Sequence, residues 1–194
     1  MKPPAKIPCG VTVKFDNAIF LEILDRYGVQ GWNSWIDAIS NQNLLYPSYD
    51  TTENPPPFQV DFVLSGIDLS NRELDGIDLT MVYMSHGVLC HSSLYGAKFL
   101  LANQCNFVGA DLRTATFESC DVSGAVFVDS MLGNNDWTRA FYYVGQPPSG
   151  LPSEIMTKLK QLEPDDYDVA KPKQIVCLAD VKDASHWVEG TKSI

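Results

Sequence analysis

From Phe62 to Arg139 a large apolar residue recurs at every fifth position. In blocks, the chain reads FVLSG, IDLSN, RELDG, IDLTM, VYMSH, GVLCH, SSLYG and AKFLL. After the three residues Ala102 to Gln104 it resumes as CNFVG, ADLRT, ATFES, CDVSG, AVFVD, SMLGN and NDWTR. The third residue of every block is large and apolar: Leu64, Leu69, Leu74, Leu79, Met84, Leu89, Leu94 and Phe99, then Phe107, Leu112, Phe117, Val122, Phe127, Leu132 and Trp137. Apolar residues five apart lie about 140° apart around an α-helix and form no stripe, and on a flat strand they fall on alternate faces. The chain must therefore turn once per block. If each block makes one short side and a corner, every third residue points inward and four sides close a coil.

The other positions fit the same coil. The first also points inward, near the corner, and is small at Gly87, Ser92, Ala97, Cys105, Ala110, Ala115, Cys120, Ala125 and Ser130. The fifth favours turn formers, namely Gly66, Asn71, Gly76, Gly96, Gly109, Gly124 and Asn134, which tolerate a tight corner. The second and fourth face outward and are mostly polar. Such repeats make a solenoid, in which each coil contacts only its neighbours.

These blocks resemble the A(D/N)LXX consensus of the pentapeptide-repeat family, most literally in Ala110-Asp111-Leu112-Arg113-Thr114, over about 40% of the chain. The resemblance implies a mainly β fold: a right-handed quadrilateral β-helix of about four coils, stacked like parallel strands about 4.8 Å apart. Two departures from the pattern matter. Phe62, Ile67, Arg72, Ile77 and Val82 are bulky where small residues belong, so the first coil should be widened or covered by something apolar. Ala102 to Gln104 is either a bulge or a shortened side. A shortened side, the favoured reading, would stack Leu74, Leu94, Leu112 and Leu132 in one column and Leu79, Phe99, Phe117 and Trp137 in the next.

The ends of a solenoid expose apolar cross-sections and strand edges, so caps are expected. The organisation read from the chain is a helical N-terminal cap and Pro-rich linker over 1–57, the β-helix over 58–144, and a C-terminal capping helix, strand and tail over 145–194. Upstream, Asp16 or Asn17 can cap a helix through Tyr27 with Ile19, Phe20, Ile23 and Leu24 on its apolar face and Gly28 as its stop. Trp32, Trp35, Ile36 and Ile39 sit at helical spacing on a second short helix. The tryptophans either pack onto Phe62, Ile67 and Ile77 or form a docking surface. Pro47 to Pro57 reads as an extended linker. Downstream, Gln146 to Pro152 makes a turn, Ser153 can cap a helix from Glu154 to about Leu162, and Gln174 to Leu178 reads as a strand.

Charge and chemistry narrow the function. The net charge of −10 argues against direct attachment to nucleic acid or anionic lipid. There is no apolar run of membrane-spanning length and no secretory leader pattern, which reads as a cytoplasmic protein. The five cysteines, Cys9, Cys90, Cys105, Cys120 and Cys177, have no CxxC or paired Cys/His spacing and read as free thiols. His86 and His91 flank Cys90 but occupy successive corners, so they should diverge and hold no metal. No phosphate-binding, dinucleotide or nucleophile motif occurs, and the expectation is a non-enzymatic chain without cofactors.

The expected function is a protein-interaction or scaffold module presenting a rigid, acidic surface. Asp68, Glu73, Asp78, Asp111, Glu118, Asp121 and Asp136 are the candidate contacts on the coils, with Trp32 and Trp35 on the cap. The resemblance adds two alternatives. Some family members mimic duplex DNA, bind topoisomerases such as DNA gyrase, and confer quinolone or peptide-toxin resistance, with homodimers formed through a terminal cap; others are secreted bacterial effectors.

Overall fold

The computed structural model describes residues 11–40, 58–163 and 176–177. Its elements run β1 (Val11–Phe15), α1 (Asn17–Ser40), β2 (Phe58–Val63), β3 (Asp78–Tyr83), β4 (Lys98–Leu101), β5 (Phe141–Tyr143), α2 (Ser153–Met156), β6 (Lys160–Leu162) and β7 (Val176–Cys177). The chain divides into two compact units, one of residues 1–63 with 171–194 and one of residues 64–170. The Pro47 to Pro57 linker lies outside the described residues.

The first unit is a parallel β–α–β arrangement. β1 pairs with β2 from Val11↔Phe58 to Phe15↔Phe62, and on its other edge with β7 through Val13↔Val176 and Lys14↔Cys177. The strand expected near the C-terminus is therefore present at Val176–Cys177, and β1 is an element the sequence analysis missed. Asp16 caps α1, its carboxylate accepting the Ile19 N–H at 2.9 Å. Gly28 interrupts α1 with φ 64°, so the two expected helices are two arms of one kinked element. Phe20, Ile23 and Leu24 on the first arm and Trp32, Trp35 and Ile36 on the second are buried.

The second unit is a β-helical solenoid. Single parallel bridges join residues 20 apart in the first turn, as in Asp68↔Val88 and Glu73↔Ser93, and again later, as in Asn106↔Val126 and Thr116↔Asp136. Where the ladder crosses Leu100 the step is 18, as in Val88↔Asn106, Ser93↔Asp111 and Lys98↔Thr116, and it returns to 20 at Leu101↔Asp121. Four blocks thus make one turn, and the chain is two residues short rather than bulged. The shortening falls between Phe99 and Leu101, where the β3–β4 register shifts. Ala102 to Gln104 therefore completes a full side that begins at Leu100, a correction to the expected position. The predicted columns follow: Phe99 stacks on Phe117 at 5.2 Å, and Phe117 on Trp137 at 4.4 Å. Phe107 stacks on Phe127 at 5.0 Å on the adjoining side.

Most corners are tight turns closed by the next block's first N–H bonding back to the third-position carbonyl, as in Ala110 N–H to Phe107 at 3.0 Å. The fifth residue takes the left-handed conformation, at Gly66, Asn71, Gly76, Gly96, Gly109 and Gly124 but also at His86, His91, Gln104, Thr114, Ser119, Asp129 and Arg139. Met81 and Leu101 escape it because β3 and β4 run extended through those positions. Asn134, expected at such a corner, also lacks it. There Asn135 donates from Nδ2 to the carbonyls of Leu112 and Ala115, and its Oδ1 accepts the Gly133 N–H, which reshapes the turn.

The inward positions form the core. Of the third-position residues only Leu132 is half-buried; Leu64 through Phe127 and Trp137 are buried. Among the described residues no further coil covers Leu132, which ends its column. Polar side chains at the inward first position are satisfied: Ser92 Oγ donates to the Leu69 carbonyl at 2.6 Å and Cys105 Sγ to the Met84 carbonyl at 2.6 Å.

The expected helix from Glu154 to Leu162 is corrected to a single turn, α2, with no side-chain cap from Ser153. From Lys160 onward the chain becomes β6, parallel to β5, with Lys160 N–H on the Ala140 carbonyl and Val144 N–H on the Leu162 carbonyl, each 2.9 Å. Nine residues of modest propensity make a marginal helix, and the open ladder above Ala140 offers the same backbone groups better partners. Ile155, Leu159 and Leu162 are buried all the same.

Candidate interaction surface

The acidic residues singled out from the sequence lie on the outward second and fourth positions, but most of their carboxylates are already engaged. Those of Asp68, Asp78, Asp111, Asp121 and Asp136 accept the N–H two residues on, at Ser70, Thr80, Arg113, Ser123 and Thr138, with distances of 2.9 to 3.2 Å. The consensus aspartate is thus a turn-closing residue that holds the corner ahead of it. Asp121 is buried, and its Oδ1 also accepts the Ser123 hydroxyl at 2.6 Å.

Basic side chains occupy much of the rest. Lys98 reaches Asp78 at 3.2 Å, Arg113 grips Asp111 with Nε at 2.9 Å and Nη2 at 2.7 Å, and Arg139 pairs with Glu118. Asp75 accepts the Ser93 hydroxyl at 2.5 Å and the Tyr95 N–H at 3.0 Å, tying one coil to the next. The Arg113 side-chain hydrogen bond holds the Asp111 carboxyl below the usual carboxylate range, and bonds from Ser70 and Thr138 do the same for Asp68 and Asp136. Glu73 is exposed. Trp32 and Trp35 are turned in: Trp32 is fully buried, edge-on to Phe20 at 4.5 Å and 5.9 Å from the Trp35 ring.

Sequence reasoning overlooked the apolar part of the outward lattice. Val88, Cys90, Val108, Val126 and Val128 share one side of the coil, and Val128 is 42% exposed. Tyr83, Tyr95 and Met131 are each about half exposed, and the Arg113 guanidinium lies 5.8 Å from the Tyr95 ring centroid. The signal was present in the blocks: second and fourth positions that are Val, Tyr or Met break the polar pattern. His86 and His91 stand at successive left-handed corners, and among the described residues no group of three or more His, Cys, Asp or Glu is arranged to hold a metal. Nor is any described helix long and apolar enough to cross a membrane.

A coil of five-residue sides with stacked inward columns and an outward lattice of fixed side chains defines a β-solenoid repeat protein. Its repeats are pentapeptide repeats: residues 102–132 match the family described by that name, in eight copies. Proteins of this family are in general non-enzymatic structural or interaction modules. Among solved structures, the chain is similar to a pentapeptide repeat protein from the Arabidopsis thaliana thylakoid lumen, at 22% identity, covering 46% of this chain and 68% of that one with a TM-score of 0.14. The search of curated proteins gave no match.

Proposed function

We propose that the chain is a non-enzymatic protein-interaction module, built on a right-handed, four-sided β-helix of about four coils, that presents a mixed apolar and polar surface to a protein partner in the cytoplasm. The observation carrying this reading is the doubly held outward lattice: outward residues of the inner coils sit between ladder bonds to the coils on either side, and the turn-closing carboxylates lock the corners. Side chains fixed in this way lose little conformational entropy when a partner binds. The exposed Tyr83, Tyr95, Val128 and Met131 are the residue types that anchor interfaces or cover them.

Internal pairing of Asp78, Asp111 and Glu118 leaves the acidic field patchy, which takes support from the DNA-mimic alternative. A gyrase supercoiling assay with micromolar protein is expected to show no inhibition. The interaction reading is tested by placing a photo-crosslinking residue at Glu73, Tyr95 or Val128 and, as a control, at buried Leu94. Specific crosslinks to one protein from host extract at the outward sites alone are expected. Identical patterns from all four positions would sink it.

A further inference from the structure

Among the described residues, the last coil of the solenoid is continued on two sides and open on two. Above the side that begins at Cys120, Phe141 N–H donates to the Cys120 carbonyl and Val122 N–H to the Phe141 carbonyl, each at 3.0 Å, and β6 adds a further layer. Above the side that begins at Ala125, Ser149 donates to the Ala125 carbonyl at 2.9 Å and accepts from Phe127 N–H at 2.8 Å. The remaining two sides begin at Ser130 and Asn135. There the N–H groups of Leu132, Asn134, Trp137 and Arg139 and the carbonyls of Ser130 and Asn135 make no hydrogen bond among the described residues. An unpaired edge of this kind is a template for another strand. Beside it, Leu132 is half-buried and Met131 is 49% exposed, while Trp137, only 4% exposed, leaves its indole N–H without a partner.

The pattern of the vacant groups specifies the occupant. In the coil below, Met131 N–H donates to the Ala110 carbonyl and the Met131 carbonyl accepts Leu112 N–H, each at 2.9 Å. A segment seated one level higher repeats this arrangement: one residue donates to the Ser130 carbonyl and accepts from Leu132, the next turns inward over Leu132, and the one after accepts from Asn134. Ser149, which follows Pro147 and Pro148, already sits on the neighbouring side in this way. The described chain beyond Arg139 is committed to the other two sides, so it does not fill this edge.

We propose that the open end of the last coil, over Ser130–Asn134 and Asn135–Arg139, receives an extended segment of a partner protein as an added parallel strand, with an apolar residue over Leu132 and Met131. This is recognition by β-augmentation, in which main-chain bonds supply affinity and alternate side chains supply specificity. It rests on the interaction reading and names that reading's docking site.

The probe is a phage-displayed library of linear dodecapeptides selected against the full chain, with hydrogen exchange measured on each complex. Selected peptides are expected to protect the amides of Leu132, Asn134, Trp137 and Arg139. N-methylating the peptide amide that faces the Ser130 carbonyl is expected to weaken binding about tenfold, as is Met131→Glu. The N-methyl peptide leaves the protein untouched, so its effect does not depend on the variant folding. Protection confined to the side bearing Val88, Val108 and Val128 would overturn this site and leave the interaction reading standing. Selection of no peptide would also overturn it, and the crosslinking experiment would then decide the broader reading by itself. Sedimentation of the free chain as a dimer with these four amides already protected would assign the edge to a second copy instead.

Discussion

Trp137 lies flat on Phe117, with ring centroids 4.4 Å apart and planes 5° from parallel. Phe99 stacks on the same ring at 5.2 Å, and Phe107 and Phe127 meet it edge-on at 6.1 and 5.7 Å. The coil-to-coil rise of about 4.8 Å is close to an aromatic stacking distance, so like residues in one column gain ring contacts without distorting the ladder.

Phe117 touches all four rings, and its loss should be felt more than that of any terminal residue. Phe117→Ala is expected to lower unfolding stability by about 3–5 kcal/mol, and Phe117→Leu by about 1–2 kcal/mol. Chemical denaturation measures both, and the near-UV circular dichroism of Trp137 should collapse with the first. A Phe117→Ala protein within about 1 kcal/mol of the parent would show that the column contributes little to the core.

The turn-closing aspartates predict a specific acid response. Asp68, Asp111 and Asp136 have folded-state pKa values lowered by their hydrogen bonds, so their contribution is fully present above the unfolded carboxylate value of about 4 and is lost as pH falls through the folded value. In the triple variant Asp68→Asn, Asp111→Asn, Asp136→Asn, the amide oxygen still closes each turn but no longer titrates. Thermal melts between about pH 2 and 6 should show a shallower acid decline than in the parent. An unchanged slope would place the acid sensitivity elsewhere.

How much of this was legible in the sequence differed with the length of the pattern. The inward columns were readable because one residue type recurs through fifteen blocks, and only Leu132, at the end of its column, departs from burial. The two-residue shortening of the turn followed from asking which register puts Phe99 over Phe117, but its place, between Phe99 and Leu101, did not, because Leu100 to Gln104 lacks the repeat's large third residue. The outward aspartates misled because a surface position says nothing about whether a carboxylate faces solvent or its own turn, as Asp121 and Asp111 do. Ile155, Leu159 and Leu162 fit a helix equally well, but β6 is dictated by the unfilled ladder above Ala140, a partner far away in sequence. Trp32 and Trp35 suited either a core or a docking face, and only their contact with Phe20 separates the two.

Thiol chemistry should divide the cysteines of the solenoid sharply. Burial pushes the Cys105 thiol up to about 12 and the Cys120 thiol well above its ordinary value, and both are fully enclosed. Cys90 is an unpaired thiol on the outward lattice and partly exposed. In a Cys9→Ser, Cys177→Ser background, native protein is expected to release one equivalent with a chromogenic disulfide at pH 8 and three in denaturant. Cys90→Ser should abolish the native phase. Rapid native modification of Cys105 or Cys120 would mean that the core opens locally.

The corners predict opposite signs for two substitutions. Thr114 is β-branched yet holds φ 61°, a conformation in which its Cβ crowds the following carbonyl, so Thr114→Gly should stabilise the fold by about 1 kcal/mol. Gly150 has φ 80°, and a Cβ there would stand 2.7 Å from the Phe127 carbonyl carbon and 2.8 Å from Val128 Cα. Those backbone atoms cannot yield, because Phe127 N–H is bonded to the Ser149 carbonyl and Ser149 N–H to Ala125. Gly150→Ala should therefore cost about 2–4 kcal/mol or lift Ser149 off the last coil, exposing Phe127 N–H to exchange. Denaturation midpoints and amide exchange distinguish these outcomes. If both variants shifted stability the same way, left-handed strain at these corners would not be the controlling term.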